Sequence, residues 1–212
     1  MTTPAYNLAL AYIIKKWDLS IHQQMPVLIP GATRINLTLL FAELGYQSGA
    51  EIGTNRGSFA LKISRNNPQC TLYCVDPWTL YDGMRDFTDA KEREKNYATA
   101  KKRLDPLPSV HIIKKFSMEA LEDFEDGSLD FVYIDANHEW PFVTQDIFYW
   151  SKKVRSGGIV SGHDYLTERR DDGFVQVKEV VDAYTKAFDI NPWFVMDKCT
   201  IKKPGTFFWV KP

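Results

Sequence analysis

The chain has 212 residues, enough for one domain of ordinary size with a substantial core. Its 26 Lys and Arg against 27 Asp and Glu leave a formal net charge of −1, which excludes a broad basic footprint for nucleic acid or an anionic membrane surface. No apolar run approaches membrane-spanning length, and in "LALAYII" (Leu8 to Ile14) the basic residues follow the apolar run, the reverse of a secretory leader, so a cytoplasmic location is expected. Three cysteines, Cys70, Cys74 and Cys199, form no CxxC pair and fit a reducing compartment. The basic run "AKKRL" (Ala100 to Leu104) reads as a solvated helix face.

In chain order, "PAYNLALAYIIKKW" and "ATRINLTLLFAEL" read as two helices within residues 1–48, an N-terminal helical cap that belongs to the same single domain, 1–212. From Gly49 onward strand and helix alternate, giving an α/β core over 49–212. "GAEIG" (Gly49 to Gly53) is a short buried strand, and "GSFALKISRNN" a helix from Gly57. "TLYCVD" (Thr71 to Asp76) is a second strand, followed by the charged helix "DAKEREKNYATAKKRL". "SVHIIK" is a third strand and "SMEALEDF" a short helix. "LDFVYID" (Leu129 to Asp135) is a fourth strand, leading into the helix "WPFVTQDIFYWSKKV". "GGIVSGHD" is a fifth strand, "FVQVKEVVDAYTKAF" a helix, and the tail "WFVMDKCTIKKPGTFFWV" a hairpin around Pro204 and Gly205. Five such alternations imply a mostly parallel sheet with helices on both faces, to which the hairpin adds antiparallel edge strands.

In an open parallel sheet, ligands bind beyond the carboxyl ends of the strands. The stretch "AEIGTNRGSFALKI" (Ala50 to Ile63) leaves its strand through Gly53 and Gly57 and enters a helix with free N–H groups, so Gly53 to Ser58 is a plausible cradle. Its Gly-x-x-x-Gly spacing is not the G-x-G-x-x-G of dinucleotide binders and argues against NAD. Asp76 falls 19 residues after Gly57, at the end of the second strand, where an acid can accept the ribose hydroxyls of a nucleoside. Singly, the glycines could serve a tight turn and Asp76 a helix cap; together they favour a nucleoside cofactor.

Glu51 with the Gly53–Gly57 loop resembles motif I of the class I S-adenosylmethionine-dependent methyltransferases. Asp76 in "VDPW" resembles their ribose-binding acid, and "FSMEAL", with Ser117 and Met118, their segment beside the adenine. The resemblance covers about Gly49 to Tyr165. It implies a Rossmann-like, doubly wound, mostly parallel seven-stranded sheet in the order 3-2-1-4-5-7-6. It also implies S-adenosyl-L-methionine as cofactor, with Glu51, Gly53, Asn55, Gly57, Ser58, Asp76, Ser117, Met118 and Asp135 around it, and Trp78 flanking the adenine.

A second cluster follows from "YIDANHEW" and "SGHDY". If the fourth and fifth strands are neighbours, Asp135 and Asp164 end about 5 Å apart. Two carboxylates that close repel, so one is relieved by a proton, a cationic side chain or a metal. The stretch "IDANHEWPFVTQDIFYWSKKVRSGGIVSGHDY" resembles the small-molecule O-methyltransferases, both the catechol type and the sugar-modifying type of macrolide and aminocoumarin pathways. Those relatives commonly hold a divalent cation on acids at these two positions, which implies Mg2+ or Mn2+ on Asp135 and Asp164. Several of them carry a second oxygen ligand where this chain has His163 beside Asp164, a change that manganese or zinc tolerates better than magnesium.

His138 is the candidate general base, with Asp135 beside it, because histidine titrates near neutral pH. A structural histidine bonded to loop backbone is the competing account. The aromatics Trp78, Tyr81, Trp140, Phe142 and Tyr165 fall in or near strand-end loops, and "WTLYDGMRDFTD" (Trp78 to Asp89) could form a lid. The expectation is O-methylation of a small-molecule acceptor, with no nucleic-acid or membrane partner and with homo-oligomerisation left open. Two alternatives stand beside it: a non-catalytic S-adenosylmethionine-binding module, and a non-haem iron hydroxylase using His138, His163 and an acid. A nucleic-acid methyltransferase is disfavoured by the charge balance and by the lack of an Asn/Asp-Pro-Pro-Tyr/Phe tetrad after the fourth strand.

Overall fold

The computed structural model describes residues 4–82, 89–170, 173–197 and 205–212. The chain opens with α1 (Pro4–Trp17), β1 (Val27–Pro30) and α2 (Arg34–Glu43). The alternating core follows as β2 (Ser48–Ile52), α3 (Ser58–Asn66), β3 (Thr71–Val75), α4 (Ala90–Leu104), β4 (Val110–Ile113), α5 (Ser117–Ala120), β5 (Leu129–Ile134), α6 (Trp140–Lys153) and β6 (Val154–Tyr165). A small hairpin, β7 (Glu168–Arg170) and β8 (Gly173–Val175), precedes α7 (Val177–Ala187), β9 (Phe194–Asp197) and β10 (Gly205–Val210).

The main sheet has eight strands among the described residues, in the order β1-β9-β10-β6-β5-β2-β3-β4. Counted from β2 onward, its strands run 3-2-1-4-5-7-6, with β10 antiparallel to both β6 and β9. The expected count of seven is corrected by β1, which pairs parallel with β9. It lies within residues 1–48, read from sequence as two helices only. "VLIP" is four residues long, its outward-facing Leu28 is half exposed, and a run that short carries little periodicity. The hairpin β7–β8 also falls where the sequence suggested the start of a helix at Phe174.

Alternation along the strands divides the apolar residues between two layers. Phe131, Tyr133, Phe208 and Val210 face a core with α1 to α4, while Val132, Ile134, Phe207 and Trp209 face one with α6 and α7. The sheet is thus covered on both sides, as parallel strands require. Gly49 lets the Phe131 ring cross β2: a Cβ there would meet that ring at 2.2 Å. Phe131 in turn stacks on Phe41 of α2, ring centroids 3.9 Å apart, which ties the N-terminal helix to the centre of the sheet. Cys70 and Cys74 are buried free thiols beside and within β3; Cys199 lies outside the described residues. Among the described residues no helix is long and apolar enough to cross a membrane.

Candidate active site

A cavity of about 590 Å³ opens beyond the carboxyl ends of β2, β3 and β5. Its floor is the loop between β2 and α3. Gly53 (φ 93°) and Gly57 (φ 69°) both adopt left-handed backbone that a side chain resists. At Gly53 space is also limiting, since a Cβ would sit 2.1 Å from the Asp135 carbonyl oxygen. Asn55 (φ 48°) takes the same hand, which asparagine tolerates better than most residues. Gly57 then caps α3 without a side chain, so the first N–H groups of the helix have no side-chain cap. Ser58 lines the cavity and its Oγ accepts from Arg103 Nη1 at 2.8 Å.

Asp76, at the end of β3, is buried and holds this loop in place. Its Oδ2 accepts the Asn55 backbone N–H at 2.9 Å, and its Oδ1 accepts that of Trp78 at 2.8 Å. Oδ1 also accepts from Nη2 of Arg93, a buried arginine of α4. Most of the carboxylate's acceptor capacity is therefore committed within the chain, and Oδ2 keeps the larger remainder. Trp78 does not flank the cavity as expected. Its ring turns away, donates from Nε1 to the Asn55 carbonyl at 2.7 Å, and packs on Tyr97 with centroids 4.9 Å apart. Tyr81 lines the cavity in its place, with its hydroxyl accepting from Asn137 Nδ2 at 3.4 Å. Residues 83–88 of the suggested lid lie outside the described residues.

Ser117 and Met118, where α5 begins, line the cavity on one flank. The Ser117 hydroxyl donates to Oδ1 of Asp146 and accepts from Trp150 Nε1 at 2.8 Å. Asp146 and Trp150 sit one turn apart on α6 and so share a face. Burial pushes the Asp146 carboxyl up to about 7, against the stabilising Ser117 hydrogen bond. Glu51, in the middle of the cavity wall, is pushed further, to about 8, again by burial and then by its acidic neighbours Asp135 and Asp76. Its Oε2 is buried without a hydrogen-bond partner.

The other flank carries the second cluster. Asp135 follows β5 and Asp164 lies near the end of β6 in left-handed backbone (φ 52°), a strained conformation of the kind found at functional sites. His138 Nε2 lies 3.2 Å from Asp164 Oδ2 and 3.5 Å from Asp135 Oδ1. One ligand atom from each of Asp135, His138 and Asp164 falls within 4.8 Å of the others. His163 is not part of that group: its Nδ1 contacts the far oxygen, Asp164 Oδ1, at 2.8 Å. So His138 takes the place expected for His163. Among the described residues the group that could hold a metal has one histidine and two carboxylates, rather than the two histidines and one acid of the iron-hydroxylase alternative.

Three contributors escaped sequence reading. Arg34, in the first turn of α2, reaches across the cavity to Asp135 Oδ2 at 3.5 Å and lies over the Phe59 ring at 4.9 Å. Nothing local marks it, because its partner is 101 residues away. Arg93 and Asp146 did leave a signal. Arg93, Asn96, Ala100 and Leu104 form the buried stripe of α4, and Val143, Asp146, Ile147 and Trp150 that of α6. A charge at core spacing on a helix is the mark of a buried, partnered ion.

The chain compares with known proteins as follows. A family described as a methyltransferase domain matches residues 50–165. Among solved structures, an O-methyltransferase from Bacillus cereus in complex with SAH is similar, with a TM-score of 0.61 and 16% identity, over 100% of this chain and 92% of that one. The O-methyltransferase TomG from Streptomyces achromogenes, in complex with SAM, gives a TM-score of 0.59 and 17% identity over 100% and 92%. At such identities the likeness is one of fold. The uncharacterized protein y4gI of Sinorhizobium fredii is 36% identical over 63 residues, which is 30% of this chain and only 7% of that protein.

Proposed function

The chain belongs to the methyltransferase-domain family, and from that premise we propose that it is an S-adenosylmethionine-dependent O-methyltransferase acting on a small-molecule hydroxyl. One observation carries the reading: a single cavity joins a glycine-loop and acid floor to a histidine set between two carboxylates. The cofactor fits the residues present. Glu51 Oε2 is a buried acceptor with nothing to accept from, on the wall of a cavity with room for a nucleoside. Gly53, Asn55, Gly57, Ser58, Asp76, Ser117 and Met118 would hold it, with Glu51 and Asp135 near its amino-acid part. When bound, it supplies a methyl group already activated by the sulfonium.

What remains for the protein is to align an acceptor oxygen and remove its proton. His138 takes that proton, and Asp135 and Asp164 stabilise the imidazolium that results. Arg34 balances the charge of Asp135 from the opposite side. A divalent cation is a second reading, favoured by the convergence of Asp135, His138 and Asp164. One nitrogen and two oxygens suit manganese better than magnesium. Under it, Asp135, His138 and Asp164 would hold the cation, and the chemistry supplied there would be a lowered pKa for the acceptor hydroxyl.

Calorimetry with S-adenosylhomocysteine should give a micromolar Kd, roughly −8 kcal/mol, with no competition by NAD. Labelled-methyl transfer to a panel of phenols and sugars then tests the chemistry. Absence of binding would remove the cofactor assignment; binding without transfer to any acceptor would leave a cofactor-binding module.

A further inference from the structure

We propose that Gln176 is a positioning residue for His138: it clamps the loop that carries the imidazole and so sets where the ring stands against the methyl acceptor. The inference rests on the reading of His138, as base or as ligand, as the side chain that serves the acceptor oxygen. His138 sits in the short loop between β5 and α6. That loop is held at its start, where the Asp135 N–H donates to the Ile52 carbonyl at 2.8 Å. Its far end is the first turn of α6, whose N–H groups receive no side-chain cap from Glu139. Gln176, from another part of the chain, grips the loop on both sides of Glu139. Its backbone N–H donates to the His138 carbonyl at 2.9 Å, and its Oε1 accepts the Trp140 N–H at 3.1 Å. The direction of the Gln176 amide follows, because a backbone N–H only donates and must meet the oxygen.

The neighbours of Gln176 make it a fixed post. After it, Val177, Val180 and Val181 bury α7 in the core that also holds Val160 and Trp209 of the sheet. The Lys178 N–H donates to the Leu166 carbonyl at 3.2 Å, which ties the start of α7 to the end of β6. Before it, Phe174 and Val175 line the cavity together with His138 and Phe142. The clamp thus stands between a packed helix and the stretch of wall next to the imidazole. The ring's own contacts, 3.2 Å to Asp164 and 3.5 Å to Asp135, tolerate small shifts between the two carboxylates. Its place is therefore set by the backbone that carries it. A misplacement of about 1 Å at a reacting group costs on the order of 100-fold in rate. The competing account is a plain cap on α6, which contributes to stability and leaves turnover alone.

The test is Gln176→Met, which keeps the length of the side chain and removes its oxygen. NMR relaxation of the histidine ring carbons is the first readout. The order parameter of the His138 ring should fall from about 0.85 to about 0.6 or below, with the His111 ring unchanged. Methyl transfer to phenols and sugars is the second. On an acceptor that turns over, kcat should fall by roughly 10–100-fold while the acceptor KM stays within about threefold. In a His138→Ala background the same substitution should cost less than about twofold, because residues that act as a unit are not additive. An unchanged His138 ring overturns the proposal, as does an equal loss of kcat in both backgrounds or a lower melting temperature with full turnover. Where no acceptor turns over, the ring measurement decides alone. Should Gln176→Met fail to fold by circular dichroism, Gln176→Asn, whose amide falls short of the Trp140 N–H, is read the same way. If His138→Ala itself keeps turnover within about tenfold, the reading of His138 fails and the proposal with it. That outcome is distinct from a rate that needs His138 and ignores Gln176.

Discussion

At the β3 end of the cavity each acid has a partner of its own. Asp76 has Arg93 and two backbone N–H groups; Asp146 has the Ser117 hydroxyl. At the β5–β6 end partners are shared. Asp135 and Asp164 share the imidazole of His138, Arg34 also reaches Asp135 at 3.5 Å with its side chain more than a third exposed, and His163 meets the other oxygen of Asp164 at 2.8 Å. Dedicated buried partners fix a shape, which suits a site that must recognise the same nucleoside at every turnover. Shared, partly exposed partners leave charge that can be redistributed when a proton moves, which suits chemistry.

The largest effect that would sharpen this contrast is at the shared end. His138→Ala should lower kcat by roughly 10²–10⁴ on an accepted substrate while the Kd for S-adenosylhomocysteine changes little. A loss below about tenfold would give His138 a merely structural place. At the dedicated end the cost should appear in stability. Arg93→Leu leaves Asp76 buried beside an apolar group, and breaking a buried pair on one side costs about 3–5 kcal/mol. For a chain of this size that is on the order of 10 °C in melting temperature, readable by calorimetry. A change under 1 kcal/mol would mean that the two backbone N–H groups hold Asp76 without the arginine.

The same division explains what could be read in advance. The dedicated end is written in contiguous segments: the Gly53–Gly57 spacing, the acid closing β3 and the Ser117–Met118 pair each declare themselves within a few residues. The alternation implies a mostly parallel sheet with a closing hairpin, whereas the strand order came from the methyltransferase resemblance. The shared end is assembled by topology. Asp135 and Asp164 could be placed because they close adjacent strands, but Arg34 arrives from the N-terminal helix and depends on how α2 packs. That His138 and not His163 falls in the cluster turns on side-chain direction, which the sequence of the loop after β5 does not encode for His138. Trp78 was misplaced for a related reason. Its left-handed backbone (φ 45°) swings the ring out of the cavity toward Tyr97, and only the three-dimensional loop shows it.

Whether the shared end recruits a metal is a smaller and separable question. Asp164→Asn should cost roughly 10–100-fold in turnover on either account, since it removes one of the two charges on the imidazole. The accounts part with chelator. If a cation is bound, EDTA should bring the wild type down to the level of the variant, and manganese should restore only the wild type. If Arg34 and His138 supply all the positive charge, chelation does nothing and elemental analysis finds no metal.

A further test probes Glu51, on the cavity wall between the two ends, whose Oε2 is buried without a hydrogen-bond partner. Glu51 is raised by burial from 4.5 to about 8, so the folded chain holds this proton more tightly than the unfolded chain. Its contribution to stability is therefore complete below pH 4.5 and is lost as pH rises toward 8, at up to about 1.4 kcal/mol per pH unit. Asp146, raised to about 7, adds a decline of the same sign that ends earlier. Glu51→Gln removes the first decline and keeps the shape, so denaturant midpoints taken from pH 5 to 8 should fall less steeply in the variant than in the wild type. S-adenosylhomocysteine should flatten the wild-type curve in the same way if its ammonium group meets Glu51, because a cation there favours the ionised carboxylate. Parallel curves for wild type and variant would mean that water or a backbone shift already relieves Glu51. The wall between the two ends would then be less rigid than the buried Asp76–Arg93 pair beside it suggests.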